Sequence, residues 1–398
     1  MATVPPRLLF ASYHCVLDPS SGAALATRDL LALLTARGWA CGACCGPLVD
    51  FDRAPPVDDL IRRAGGRAGG RRDGVTPFHA EYRAVPVTVV VPDGSPRATP
   101  TPAEAAAFLR TLSRVVGVFR PSVVLTYGGG PPADGIVAVA RAAGARTVFA
   151  LHNFAYTDAA ALRPHDAVLV PSEFSRRYYR EHHGVESVAV PPVWDWEQVS
   201  CDASAGRFVT LVNPRPEKGV FVFARLAAEL ARRRPDIPLL VVQGRGDVDW
   251  LGRTGVDLSG VRTVHRLPNV PHPREYLRLT RVLVVPSLWR ESFCRAAAEA
   301  MQNGIPVVAS TRGALPETVG EAGVLLDIPE RYTPRTTTAP TADEVLPWVD
   351  AVERLWSDDA EHHEVSQRCR DAAQRWRPVE VLPRFEELFR RLADVRTV

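Results

Sequence analysis

Short runs of apolar and β-branched residues alternate along the first half of the chain with stretches whose apolar positions recur at helical spacing. Strand-like runs at 7–12, 85–91 and 123–127 stand beside helix-like stretches at 22–37, 102–119 and 134–143. Two more strands, at 147–151 and 167–170, lead into a helix over 173–183. Alternation of this kind predicts a parallel sheet covered by helices on both faces, so residues 1–195 read as a Rossmann-like domain. The pattern breaks in the irregular stretch VWDWEQVSCDASAG at 193–206 and restarts with FVTLV at 208–212, which places a domain boundary between them. Further strands at 239–243, 261–265, 282–285 and 307–310 predict a second Rossmann-like domain over 206–365. From residue 342 onward every segment reads as helix, and the helices of 366–398 are expected to pack back towards the first domain. The expected fold class is α/β, two Rossmann-like domains with C-terminal helices, and 398 residues suit two cores of ordinary size.

Composition narrows the partners. Hydrophobic residues make up 46% and charged residues 23%, a globular balance that excludes wholesale disorder. A formal charge of +3 is too mild for a nucleic-acid partner and fits small anionic ligands better. Of 48 basic residues Lys218 is the only lysine, which points to a position where a compact ammonium is needed and a planar guanidinium will not serve. The Arg-Gly stretch at 62–74 reads as a mobile surface loop. Seven cysteines give no disulfide framework and suggest a reducing compartment. Cys41 and Cys44, three apart on a strand, should face opposite sides and act as small buried residues. The start of the chain lacks the basic and long apolar segments of a signal peptide, and no segment reaches the length of a membrane span. A cytoplasmic protein is expected, with loose attachment to a membrane surface still compatible.

Chemistry concentrates in the second half. The stretch PSLWRESFCRAAAEAMQNGIPVVAS at 286–310 reads as strand end, loop, helix and strand, with Glu291 before the helix and Glu299 inside it. Eight residues of helical rise span about 12 Å, enough for two carboxylates to grip two ends of one ligand. Each carboxylate can accept two hydroxyls of a diol, and the helix N-terminus at Ser292 and Phe293 offers N–H groups to phosphate. Small apolar neighbours flank Glu299, unlike a solvated charge stripe.

These motifs resemble the retaining glycosyltransferases of family 4, whose GT-B architecture has two facing Rossmann-like domains. The resemblance is strongest over 208–324 and rests on the E-x7-E pattern of Glu291 and Glu299. It implies that Glu291 contacts donor-sugar hydroxyls, that Glu299 holds the ribose, and that Val270, Ser292, Phe293 and Cys294 line the donor. Cys294 stands where the family usually has glycine. The turn NPRPEKG at 213–219 is similar to the family's phosphate clamp, with Arg215 and Lys218 beside a helix N-terminus. In the first half, Gly22 lies in the loop after the first strand and His152 at a strand end, where the resemblance implies donor contacts and an active-site histidine. The Tyr127–Gly130 loop is an acceptor-side candidate.

Asp247-Val248-Asp249 matches a metal-binding D-x-D but sits in the wrong context and reads as a cap, and His362-His363-Glu364 lacks the spacing of a helical zinc site. No metal or cofactor is expected, the nucleotide sugar being a substrate. The implied reaction moves a sugar from a nucleotide-diphosphate donor to an unidentified hydroxyl acceptor, be it saccharide, lipid-linked or small molecule, with retention of configuration. A sugar-nucleotide epimerase and a non-catalytic sugar-nucleotide binding protein are the alternatives.

Overall fold

The computed structural model describes residues 6–50, 55–94, 99–244, 246–261, 264–270 and 272–394. The chain divides into two compact units, one of Met1–Pro171, Ser175–Asp195 and Pro378–Val398, the other of Ser172–Phe174 and Trp196–Arg377.

The first unit is built on a sheet of strands β1 (Arg7–His14), β2 (Ala40–Leu48), β3 (Arg67–Ala68), β4 (Val75–Tyr82), β5 (Val85–Pro92), β6 (Val123–Thr126), β7 (Arg146–Ala150), β8 (Ala167–Val170) and β9 (Val188–Ala189). Their order is β3-β4-β5-β2-β1-β6-β7-β8-β9. The central strands are continuous apolar runs because both their faces are covered. Cys41 and Cys45 face the layer that includes helix Pro378–Asp394, whereas Cys44 faces the one that includes helix Pro102–Phe119. All seven cysteines are free thiols.

One edge departs from the all-parallel expectation. β4 and β5 form an antiparallel hairpin turned by Arg83 and Ala84, whose φ angles are 49° and 65°. Such a two-residue turn normally carries Asn-Gly, and Arg-Ala in its place hides the hairpin from the sequence. β3 pairs with β4, so the stretch at 62–74 holds an edge strand where a mobile loop was expected. Arg71 and Asp73 in it are fixed by Asp93 and Arg110, at 2.7 and 3.0 Å.

The second unit has a fully parallel sheet of β10 (Phe208–Val212), β11 (Leu239–Val242), β12 (Val264–Leu267), β13 (Thr280–Val285), β14 (Val307–Ser310) and β15 (Val324–Leu326), in the order β12-β11-β10-β13-β14-β15. The strand order reverses between β10 and β13. In open parallel sheets ligands bind outside the carboxyl ends of the strands at such a switch point. In the first unit the equivalent point lies between β1 and β6. No helix among the described residues is long and apolar enough to cross a membrane.

The C-terminal helices divide between the units at 378, not at 366. Helix Asp359–Ala373 stays with the second unit because Ser366 Oγ donates to the Gly304 carbonyl at 2.5 Å and Cys369 Sγ to the Ala322 carbonyl at 3.4 Å. Helix Pro378–Asp394 instead buries Phe385 and Phe389 in the first unit's core, with Trp39 edge-on to Phe389 at 6.2 Å. Arg37 Nε fastens it through Glu386 Oε1 at 2.7 Å.

Breaking that pair tests the docking. Glu386→Gln should cost about 1 kcal/mol in urea unfolding, as expected of a half-exposed pair, and speed amide exchange over 378–394. The Arg37 hydrogen bond holds the Glu386 carboxyl below its ordinary value of 4.5. Its contribution is therefore present above pH 4.5 and lost as pH falls below it. The variant should lack that acid dependence.

Candidate active site

Two loops meet at the switch point of the second unit. After β10 the chain turns through Asn213, at φ 61°, whose Oδ1 accepts the Gly246 N–H at 2.6 Å. A short 3-10 turn over Pro216–Lys218 and Gly219 then start helix Val220–Arg233. After β13 a loop over 286–294 leads into helix Arg295–Gln302. The Glu217 carbonyl accepts the N–H groups of Leu288 and Trp289 at 3.0 and 2.8 Å, lacing the loops together. Gly219 has φ 81°, and a Cβ there would lie 1.8 Å from the Pro286 carbonyl oxygen. A side chain at 219 is excluded on both counts.

This lacing brings Lys218 Nζ to 2.7 Å from Glu291 Oε1. Ser287 Oγ, fully buried, donates to the same oxygen at 2.8 Å. Burial disfavours the Lys218 ammonium, but the adjacent Glu291 carboxylate, together with Cys294 and Glu217, outweighs it and lifts the lysine above its ordinary pKa. The ammonium therefore keeps its charge throughout the neutral range. Ser287 was not singled out in the sequence; the Pro-Ser pair after a strand was its one signal.

The other donor residues expected in the second unit differ in their settings. Glu299 is buried and bonded through Oε1 to Arg295 Nε at 2.5 Å, one helical turn away. Cys294 opens the helix in the left-handed conformation, φ 73°, and burial pushes its thiol up to about 12. Phe293 turns inward, edge-on to Trp376 at 5.5 Å, so its ring anchors the loop. Arg215 lies in the same turn as Lys218, and its Nε pairs with Glu217 Oε1 at 2.6 Å. Val270 is half-buried just beyond β12, two strands from β10. Asp247 Oδ1 accepts the Asp249 N–H at 3.0 Å, the capping geometry expected of it. His362 is half-buried, its Nε2 3.2 Å from the Arg281 carbonyl, where a solvated helix face was expected. Among the described residues no three His, Cys, Asp or Glu side chains are grouped to hold a metal ion.

In the first unit, rings gather at the carboxyl ends of the central strands. Tyr127 follows β6, with His14 and His152 rings at 5.7 and 5.5 Å from it. His14 Nε2 lies 3.7 Å from Asp50 Oδ1, and Ser12 Oγ donates to the Tyr127 carbonyl at 2.7 Å. His152 stands two residues beyond β7; burial pushes its imidazole down to about 4 against the pull of Asp50. It is therefore neutral at physiological pH. Gly22 starts helix Gly22–Ala36, capped by Ser21 Oγ, which accepts the Ala24 N–H at 3.3 Å. His14 and Asp50 were missed in the sequence because neither belongs to a recognisable spacing.

Residues 205–338 match the family described as Glycosyl transferases group 1. The second unit carries a group 1 glycosyltransferase domain. The matched residues include Lys218, Ser287, Glu291 and Glu299. A similar curated protein is the D-inositol 3-phosphate glycosyltransferase of Arthrobacter sp. (strain FB24), 33% identical over 168 residues, which are 39% of this chain and 36% of that one. The chain's match thus spans about a third of that relative's length. The corresponding protein of Corynebacterium aurimucosum is 30% identical over 182 residues, 43% of this chain and 40% of its own. Among solved structures, sucrose-phosphate synthase from Thermosynechococcus elongatus aligns with a TM-score of 0.66 at 18% identity, over 97% of this chain and 99% of its own. Anabaena HepE, solved in complex with UDP, aligns with a TM-score of 0.68 at 16% identity, over 97% and 100%. At such identities these neighbours speak to the fold, which is GT-B.

Two substitutions probe this geometry. Gly219→Ala should force Pro286 away, break the Lys218–Glu291 contact and destabilise the second unit by more than about 1 kcal/mol, read by thermal unfolding. His152 sets an acid limit. The unfolded imidazole binds its proton near 6.5 and the folded one near 4, so stability is intact above pH 6.5 and falls as pH drops towards 4. His152→Gln should flatten that slope in pH-dependent urea unfolding.

Proposed function

We propose that this chain is a retaining glycosyltransferase that moves a sugar from a nucleotide-diphosphate donor to an acceptor hydroxyl without a metal ion. The observation that carries this reading is the Lys218–Glu291 pair, supported by Ser287, at the switch point of a group 1 glycosyltransferase domain. An ammonium has three N–H donors and Glu291 takes one. The others serve the donor diphosphate, whose negative charge grows as the bond to the anomeric carbon breaks. A fixed positive charge in a partly dry site stabilises that transition state more than the bound substrate, the work a divalent metal does in other transferases.

Among the described residues both hydrogen bonds to the Glu291 carboxylate fall on Oε1, which leaves Oε2 to accept a hydroxyl of the donor sugar. Glu299, oriented by Arg295, holds the ribose, and the first turn of helix Arg295–Gln302 faces phosphate. His152, to which the resemblance to family 4 gives an active-site role, is neutral and offers a hydrogen-bonding group in its own unit. Retention follows from front-face attack of the acceptor hydroxyl, which transfers its proton to the departing diphosphate. Because the curated relatives are named for D-inositol 3-phosphate, a phosphorylated cyclitol heads the acceptor screen.

The test is release of nucleoside diphosphate from UDP-, GDP- and ADP-sugars with and without acceptors, with the product anomer read by NMR. Transfer with retention, undiminished by EDTA, is expected. Inversion, or loss in EDTA restored by manganese, defeats the corresponding part of the proposal. Lys218→Ala should lower turnover about a hundredfold or more with a much smaller effect on donor KM, and Lys218→Arg should rescue it poorly.

A further inference from the structure

Three hydrogen bonds reach the Glu291 loop from β14 and the segment after it, and their donors are outside the residues assigned to the donor above. Ser310 Oγ donates to the Ser287 carbonyl at 2.7 Å, Ala314 N to the Glu291 carbonyl at 2.8 Å, and Thr318 Oγ1 to the Phe293 carbonyl. Ser310, Ala314 and Thr318 are almost wholly buried. Gly313, at φ 65°, lets this segment press on the loop, since a Cβ there would stand 2.3 Å from the Glu291 carbonyl oxygen and 2.4 Å from its nitrogen.

We propose that Thr318, with Ser310 and Gly313, positions the Glu291 loop for sugar transfer, a role that rests on the donor-site reading above. The loop over 286–294 is no strand, so no sheet ladder fixes its peptide planes. Thr318 fixes the plane after Phe293, while Trp376 holds the Phe293 ring. With both ends held, the peptide leading into Cys294 keeps the orientation that aims the first N–H groups of helix Arg295–Gln302. Ser310 and Ala314 do the same for the planes after Ser287 and Glu291, whose side chains meet on one carboxylate oxygen. Thr318 touches no reacting atom in this scheme and acts through the backbone it holds.

Thr318→Val removes the hydroxyl at constant shape, and Thr318→Ser keeps it. Thr111→Val is the control, because its buried hydroxyl donates to the Ala107 carbonyl in the other unit at 3.1 Å. Thr318→Val should lower kcat about tenfold with donor KM within twofold, since Lys218 and Glu299 still hold the nucleotide. Thr318→Ser should stay within twofold of wild type, and Thr111→Val should change thermal stability without changing kcat. Wild-type kcat in Thr318→Val, or equal loss in the valine and serine variants, overturns the positioning role. If circular dichroism shows Thr318→Val unfolded, Ser310→Ala carries the same expectation and the same refutation. Lys218→Ala run alongside separates the two readings. If it turns over like wild type, the donor-site reading falls and this role with it; if it is impaired while Thr318→Val is not, this role alone falls.

Discussion

The contact between Gly219 and the Pro286 carbonyl is the constraint on which the candidate site depends. Neighbouring strands lie about 4.8 Å apart, so the loops that leave β10 and β13 must share one narrow space. A side chain at 219 would collide with backbone, and without that approach the Glu217 carbonyl could not receive two N–H groups from the facing loop. The ion pair follows from this backbone contact. Removing Lys218 and Glu291 from water is unfavourable, and a buried pair rarely repays its desolvation through stability alone. Ser287 offsets part of that cost, and the ammonium side remains partly open to solvent at 31% side-chain exposure. A pair kept half open and aimed from a switch point is better explained by binding than by folding.

The two units apply one topological rule to different chemistry. Each sheet reverses its strand order beside its first strand and gathers polar residues at that point. In the second unit these are opposite charges whose contact keeps the lysine protonated. In the first they are Tyr127, His14 and His152, ring against ring, with Asp50 beside His14. Burial there acts against charge and keeps His152 neutral. One edge suits a fixed charge facing phosphate; the other suits weakly acidic and basic groups that exchange hydrogen bonds with hydroxyls.

The sequence revealed what periodicity and residue type encode. Continuous apolar runs marked the parallel strands, the offset of Cys41 from Cys44 foretold their opposite faces, and the solitary lysine marked the switch-point turn. Features set by backbone conformation or tertiary choice were illegible. The β4–β5 hairpin turns on left-handed Arg83 and Ala84, which advertise no turn. Helices Asp359–Ala373 and Pro378–Asp394 both bury an apolar face, so nothing local shows that they join different units. The pairing of Arg215 with Glu217 two positions on is likewise a matter of side-chain placement that residue type does not encode. Thr318 and Ser310 donate to backbone carbonyls, and a carbonyl leaves no mark in a sequence.

The geometry at Glu291 also accounts for lysine in a chain that otherwise uses arginine for every cationic Lys or Arg position. Lys218 and Ser287 both bond to Oε1, at 2.7 and 2.8 Å. An ammonium is a compact donor that can settle on one oxygen. A guanidinium presents a planar fork whose preferred partner is the whole carboxylate, both oxygens bound in parallel. Arginine at 218 would draw Oε2 into the pair, compete with Ser287 for Oε1, and need room for a wider head group beside the Pro286 contact. The charge would survive, but the carboxylate would be consumed by it. Lysine is the basic side chain that can hold Glu291 in place while leaving one of its two oxygens out of the pairing.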